Sequence, residues 1–154
     1  MSAYVLALAI GIVAGSRAMT APAAVSWAAH LGIIDLTQSW AAFLGYAFTP
    51  WIFTAFALGE LVTDQLPSTP SRTVPVQFGA RLMTGGLSGS AIGASFGQCV
   101  AGGLAGIVGA VIGTLGGRAL RGKLAAAFGR DAPAAFLEDA AAIGGALLIV
   151  MALR

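Results

Sequence analysis

Two arginines stand inside long apolar stretches, each in a nearly repeated hexapeptide: Gly15-Ser16-Arg17-Ala18-Met19-Thr20 and Gly79-Ala80-Arg81-Leu82-Met83-Thr84. A guanidinium among apolar residues requires a carboxylate, a water-filled cavity or a ligand. Carboxylates are at hand. Glu60 and Asp64 lie four apart, on one face of a helix, and Glu138-Asp139 opens the last apolar run. Thr20 and Thr84 close the two hexapeptides, and Arg72 follows a proline-rich stretch. The candidate binding residues are therefore Arg17, Thr20, Glu60, Asp64, Arg72, Arg81, Thr84, Glu138 and Asp139.

Three kinds of chemistry fit these groups. Guanidiniums clamp an anionic or zwitterionic substrate through paired hydrogen bonds to carboxylate or phosphate. Carboxylates at membrane depth carry cations or protons. Alternatively, the two sets of charges neutralise each other and fix the helices. An all-oxygen donor set would suit Mg, Ca or Mn rather than soft metals, but no metal site and no cofactor is expected. The single cysteine, Cys99, excludes an intrachain disulfide and a Cys-rich metal site. The single histidine, His30, suits packing or an interface better than ligation. No catalytic residues are expected: phosphate-loop, nucleophile-elbow and paired-histidine metalloprotease motifs are all missing.

The elements that must position these groups follow from composition. Hydrophobic residues make up 58% of the 154 and charged residues 9%, with a mean hydropathy of +0.89. Soluble domains carry about 25% charged residues, so this chain is matched to a bilayer. The apolar runs are continuous rather than alternating, which points to helices and not to a barrel. The expected fold is all-α: a single polytopic transmembrane bundle of five to six spans over 1–154. The net charge of +2 fits loop arginines on the cytoplasmic side better than a nucleic-acid surface.

Along the chain, Tyr4–Ala14 is a retained apolar helix. Thr20 is placed to cap a second helix running to about Ile34, with Pro22 in its first turn. Residues 4–34 form either one broken span or a tight helical pair; the pair puts Arg17, Arg81 and the acids at one level. Asp35–Phe48 reads as interfacial. Further spans are expected from Thr49 to about Leu66, Val76–Gly97, Val100–Leu120 and Pro133–Leu153, with a proline-rich loop over Pro67–Pro75. Arg118, Arg121, Lys123 and Arg130 place the segment 118–130 on the cytoplasmic side. Trp27, Trp40 and Trp51 are expected as interface anchors.

The hexapeptides also suggest an internal two-helix repeat, with units of about 15–66 and 79–124 and flanking helices over 2–14 and 133–153. Parallel, inverted and coincidental relations all remain open. Gly85, Gly89, Gly93 and Gly97, and then Gly102, Gly106, Gly109, Gly113 and Gly117, recur at helical spacing. Such faces allow close backbone approach, within one subunit, between subunits of a homo-oligomer, or along a narrow polar path.

Several of these stretches together resemble a known pattern. Ser16-Arg17 with Ala21-Pro22-Ala23-Ala24, the run Glu60 to Thr73, Gly79-Ala80-Arg81 and Glu138-Asp139 are similar to a family of small bacterial integral membrane proteins classed as a domain of unknown function. The resemblance covers most of the chain, with Gln65 where the pattern carries lysine. It implies a membrane protein with these arginines and acids as its marked positions, and no activity.

The functional expectation is a small transporter or channel of the bacterial inner membrane, multi-pass, with a polar site built from the repeated arginines and helix carboxylates. Its partners are membrane lipids, further copies of itself and, alternatively, a larger membrane complex; nucleic acid is not among them. The alternative is a non-transporting structural or accessory subunit that docks through glycine-rich faces. An enzyme acting on lipid is a weaker third reading.

Overall fold

The computed structural model describes residues 2–64 and 73–154. Within them the protein is all-α: α1 (Ala3–Ser16), α2 (Thr20–His30), a 3₁₀ turn over Trp40–Gly45, α3 (Thr49–Thr63), α4 (Pro75–Ser95), α5 (Cys99–Phe128) and α6 (Asp131–Ala152). Prolines at the first turns of α3 and α4 occupy positions whose N–H has no helical partner, so they mark helix starts at no cost. Gly97 (φ 71°) and Gly129 (φ 67°) supply the left-handed residues that turn α4 into α5 and α5 into α6. Gly97 thus ends the first glycine series instead of extending it. Most of the expected proline-rich loop, 67–72, lies outside the described residues, as does Arg72.

α5 is the axis of the bundle, packed mainly on α1 and α4 and next on α6. Glycines set those contacts. A Cβ on Gly89 would sit 2.8 Å from Gly106 Cα, and one on Gly15 would sit 2.6 Å from Thr114 N. Distances this short leave no room for any side chain, so backbones touch and dispersion is gained across whole helix faces. Gly85 meets Gly106 and Ala110 while Gly93 meets Gly102, so α4 runs antiparallel to α5. Gly11 meets Gly106 and Gly15 meets Ala110 and Thr114, so α1 runs parallel to it. The glycine faces are spent inside the chain. The open glycines, Gly59, Gly79, Gly116, Gly122 and Gly144, have nothing within 4 Å of an added Cβ.

Large apolar side chains point outward. Phe48, Trp51, Phe56, Val62, Val76, Met83, Val100, Leu104, Phe136 and Leu148 are exposed, whereas the interior is rich in alanine and glycine. Two helices, α5 and α6, are long and apolar enough to cross a membrane. The other helices fall short of the expected five to six spans for definite reasons. α1, α2 and α3 have 14, 11 and 15 residues, about 21, 17 and 23 Å at 1.5 Å per residue against about 30 Å of hydrocarbon. α4 has the length, 21 residues, but carries Gln77, Arg81, Thr84, Ser88, Ser90 and Ser95.

Other boundaries depart from expectation. α2 stops at His30, four residues early, where Gly32 turns the chain at φ 69°. α5 continues to Phe128, so Arg118, Arg121 and Lys123 lie on a helix. The two hexapeptides also differ in conformation. The second is helical throughout α4, while the first spans the end of α1, an extended Arg17 (φ −138°, ψ 105°) and the start of α2.

The two ends of the bundle differ chemically. At one end Trp27 stacks edge-on against Trp51 with centroids 5.0 Å apart and donates to Thr54 Oγ1 at 3.0 Å. Trp40 Nε1 donates to Cys99 Sγ at 3.1 Å, and His30 Nδ1 lies 3.2 Å from Gly45 O. Nearby Asp35 accepts from Thr37 N and Oγ1, which holds its carboxyl below the usual range. Arg17, Arg81, Arg118, Arg121 and Arg130 and the remaining acids occupy the other end, while Arg154 lies near Trp27 and Leu31.

Candidate functional site

The site begins with a break in a helix. A helix continuing past Ser16 would pair Gly15 O with Met19 N and Ser16 O with Thr20 N. Instead Arg81 of α4 donates through Nη1 to Gly15 O (2.8 Å) and Ser16 O (2.7 Å). Glu60 of α3 accepts from Ala18 N and Met19 N, each at 2.8 Å, one on each carboxylate oxygen. An arginine and a glutamate thus replace the missing helical bonds, donor for acceptor. The signs agree with the helix dipoles: a cation at the carbonyl end of α1, an anion at the amide end of α2. Arg81 Nη2 and Glu60 Oε1 are themselves 3.7 Å apart. Thr114 of α5 adds a second donor to Gly15 O at 3.2 Å.

This arrangement corrects the expected role of Thr20. It is the first residue of α2, is buried, and makes no capping bond; Glu60 caps the helix from another element. A carboxylate with two oxygens binds two amides at once and carries a full charge, so it outcompetes a hydroxyl. Glu60→Gln removes the charge and one of the two acceptors. We expect a loss of about 1–2 kcal/mol, read as a lower melting temperature of the detergent-solubilised protein, and a larger loss for Glu60→Ala.

The released turn aims Arg17 inward. Its side chain is fully buried, and Nε donates to Asp139 Oδ1 at 2.5 Å. Nη1 pairs with Asp64 Oδ2. Nη2 faces Asp139 Oδ1 as an ion pair at an angle that forms no hydrogen bond, with Glu138 Oε2 at 4.0 Å. α6 therefore supplies two acids, α3 supplies two, and the α1–α2 turn and α4 supply one arginine each. Arg81 Nη2 also lies 4.0 Å from Asp64 Oδ2.

Sequence reasoning missed Arg121 and Asp131. Arg121, read as a topology signal, lies 3.6 Å through Nη1 from Glu138 Oε2 and binds Asp131 through Nε (2.9 Å) and Nη2 (2.5 Å). The available clue was an arginine and an aspartate flanking a glycine turn between two helices. Of the other candidates, Thr84 is buried beside the site but its hydroxyl donates to Arg81 O at 3.2 Å, within its own helix. Ser88 Oγ is buried on the same helix with no hydrogen-bond partner among the described residues. Also among the described residues, no group of three or more His, Cys, Asp or Glu side chains has a metal-holding arrangement.

Five of the chain's six carboxylates, all except Asp35, join this network with the guanidiniums of Arg17, Arg81 and Arg121. Exposure is layered: the two inner guanidiniums are 0% and 2% exposed, and the four carboxylates around them 10–13%.

The network is recessed. Thr114, which touches it, lies 15 residues along α5 from Cys99 at the aromatic end, about 22 Å at 1.5 Å per residue. Beyond that level α4 projects 6 residues from Arg81, α6 projects 8 from Asp139 and α5 projects 14 from Thr114.

The chain matches no protein-family model, no curated protein and no solved structure.

Proposed function

We propose that this protein is a multi-pass inner-membrane protein in which all six helices lie in the bilayer, and that its charged network is the site of a small transporter or channel for cations or protons. The outward apolar shell supports the membrane placement, since exposed apolar surface of this extent is unusual for a soluble monomer. So does the distance from Cys99 to Arg118, 19 residues along α5, or about 29 Å, close to one hydrocarbon thickness. Short α1, α2 and α3 end at the recessed network, where paired charges take the place of further helix. The aromatic end sits at one headgroup layer and Arg118, Arg121, Lys123 and Arg130 at the cytoplasmic one. Kinship with the small bacterial membrane family is part of the same reading, because Glu60, Asp64, Arg81, Glu138 and Asp139 are both its marked positions and members of the network.

The observation that carries the functional reading is the set of carboxylates, Glu60, Asp64, Glu138 and Asp139, gathered deep in the bundle around two buried guanidiniums. Arg17 and Arg81 are already paired with acids and carbonyls and buried behind them, which disfavours a clamp for anions. Carboxylates recessed in this way favour a path for protons or small cations. The test is flux in proteoliposomes holding the full chain, with proton, sodium and potassium gradients in turn. Wild type is expected to exceed empty vesicles for at least one ion, and Asp64→Asn to reduce that flux at least tenfold while still inserting. Permeability equal to empty vesicles for all three ions overturns the reading.

One observation favours a structural alternative. Arg81 and Glu60 already serve as caps for α1 and α2, so the same groups can act purely as a lock between helices. An accessory subunit would keep its network intact and show no flux. It would dock on a larger complex, or on copies of itself, through its exposed apolar helix faces, because the glycine faces are occupied.

A further inference from the structure

Ser88 of α4 carries a hydroxyl that the described residues leave unsatisfied. The residue is 0% exposed, and Oγ has no hydrogen-bond partner among them. A serine inside a helix ordinarily returns its proton to a carbonyl three or four residues back. Thr84 and Ser95 on the same helix do so, donating to Arg81 O at 3.2 Å and Ile92 O at 2.7 Å. Ser88 lies between them and does not. A buried hydroxyl without a partner is costly. A ligand for it is implied, small enough for an interior of alanine and glycine.

The place of Ser88 on its helix selects that ligand. At 3.6 residues per turn, Arg81, Thr84 and Ser88 fall within about 60° of one another around α4, and all three are buried. Thr84 precedes Ser88 by four residues, which sets their Cβ atoms about 5–6 Å apart. Two hydrogen bonds of about 2.8 Å, end to end, cover that gap. Thr84 Oγ1 gives its proton to Arg81 O and keeps lone pairs that accept. Ser88 Oγ has a proton to give. One water between them accepts from Ser88 and donates to Thr84. The next residues on this face, Ala91 and Ile92, are buried and apolar, so the polar line that starts at Arg81 ends at Ser88.

We propose that a water molecule bridges Thr84 and Ser88, and that this bridge is the innermost station of a proton path leading from the charged network. The proposal rests on the reading of the network as a site for cations or protons and narrows it to protons. Entry is at Thr84, one turn from Arg81, whose Nη2 lies 3.7 Å from Glu60 Oε1 and 4.0 Å from Asp64 Oδ2. A proton received at one end of the bridge forms an O–H bond there as another O–H breaks at the far end, so each proton taken up is matched by one released. Sodium and potassium pass a narrow site by exchanging their hydration shell for rings of oxygens. Two hydroxyls do not form such a ring.

The experiment reads the water and the path in turn. Ser88→Cys and Ala91→Cys are made in the full chain with Cys99→Ala, and X-ray pulses generate hydroxyl radicals from the water present. Mass spectrometry follows oxidation at each thiol. Both positions are 0% exposed, so outside solvent reaches neither. Ser88→Cys is expected to oxidise at least fivefold faster than Ala91→Cys; equal rates overturn the proposal. Ser88→Ala keeps the test open if the cysteine variant fails to fold. Removing an unsatisfied hydroxyl stabilises a protein, whereas removing one that holds a water does not. The melting temperature of Ser88→Ala is therefore expected to hold or fall, and a rise of about 3 °C or more overturns the water. In proteoliposomes Ser88→Ala should cut proton flux at least fivefold, and unchanged proton flux overturns the path. The two readings fail separately. Fast oxidation at position 88 in a protein without flux removes transport and leaves the water, whereas ion flux with equal oxidation at the two thiols removes the water and leaves transport.

Discussion

Arg17→Met should cost about 3–5 kcal/mol, the penalty for stripping the partner from buried charges. Domains are stable by about 5–15 kcal/mol, so most of the folded margin is at stake. The reason lies in the arginine's surroundings. Its Nε and Nη1 are taken by Asp139 and Asp64, on helices that share few other contacts. Methionine fills the space but leaves two acids facing each other where water is scarce. The triple variant Arg17→Met/Asp64→Asn/Asp139→Asn should recover most of the loss, because replacing a whole buried ion set is far milder than breaking it. Thermal unfolding in detergent reads both. A single variant that melts within a degree or two of wild type would show that Arg17 is not the tie between α3 and α6.

The second large effect is expected from one methyl group. Gly106 stands where α1, α4 and α5 meet: an added Cβ would collide with Gly85 O and lie 3.0 Å from Gly89 Cα. These are backbone atoms and cannot swing aside. Gly106→Ala must therefore separate α4 from α5, at a cost of about 3 kcal/mol, the upper end of ordinary overpacking. Gly116→Ala is the control on the same helix. Nothing lies within 4 Å of its added Cβ, and alanine is the better helix former by up to about 1 kcal/mol. Opposite signs for the two substitutions in a denaturation series are the expected outcome; equal effects would place the glycine contacts outside the stabilising set.

Much of this architecture is legible in the residues themselves. The two arginines and four of the acids stand out because charges are so scarce in the chain. Helix starts at Thr49 and near Pro75 follow from proline, and the close contacts follow from glycine spacing. The pairing is less legible. Arg17 and Asp139 are 122 residues apart, and nothing local to either names the other. The capping rule for Thr20 failed for a related reason: it considers hydroxyls next to the helix start, and the acceptor that prevails arrives from α3. α5 continues past the expected end at Leu120 to Phe128 because a run of charge does not by itself stop a helix. Repeated hexapeptides did not become repeated structure, since Arg81 finds acceptors without leaving its helix and Arg17 does not.

The same long separation has a consequence for biogenesis. At about 5–20 residues per second, the ribosome makes Asp139 about 6–24 s after Arg17. Through that interval Arg17 is a cation whose final partner does not yet exist. α1 likewise waits for α5, whose glycines receive it. The N-terminal third of this protein is therefore made before it is anchored, and translation of the last helix is what completes the first.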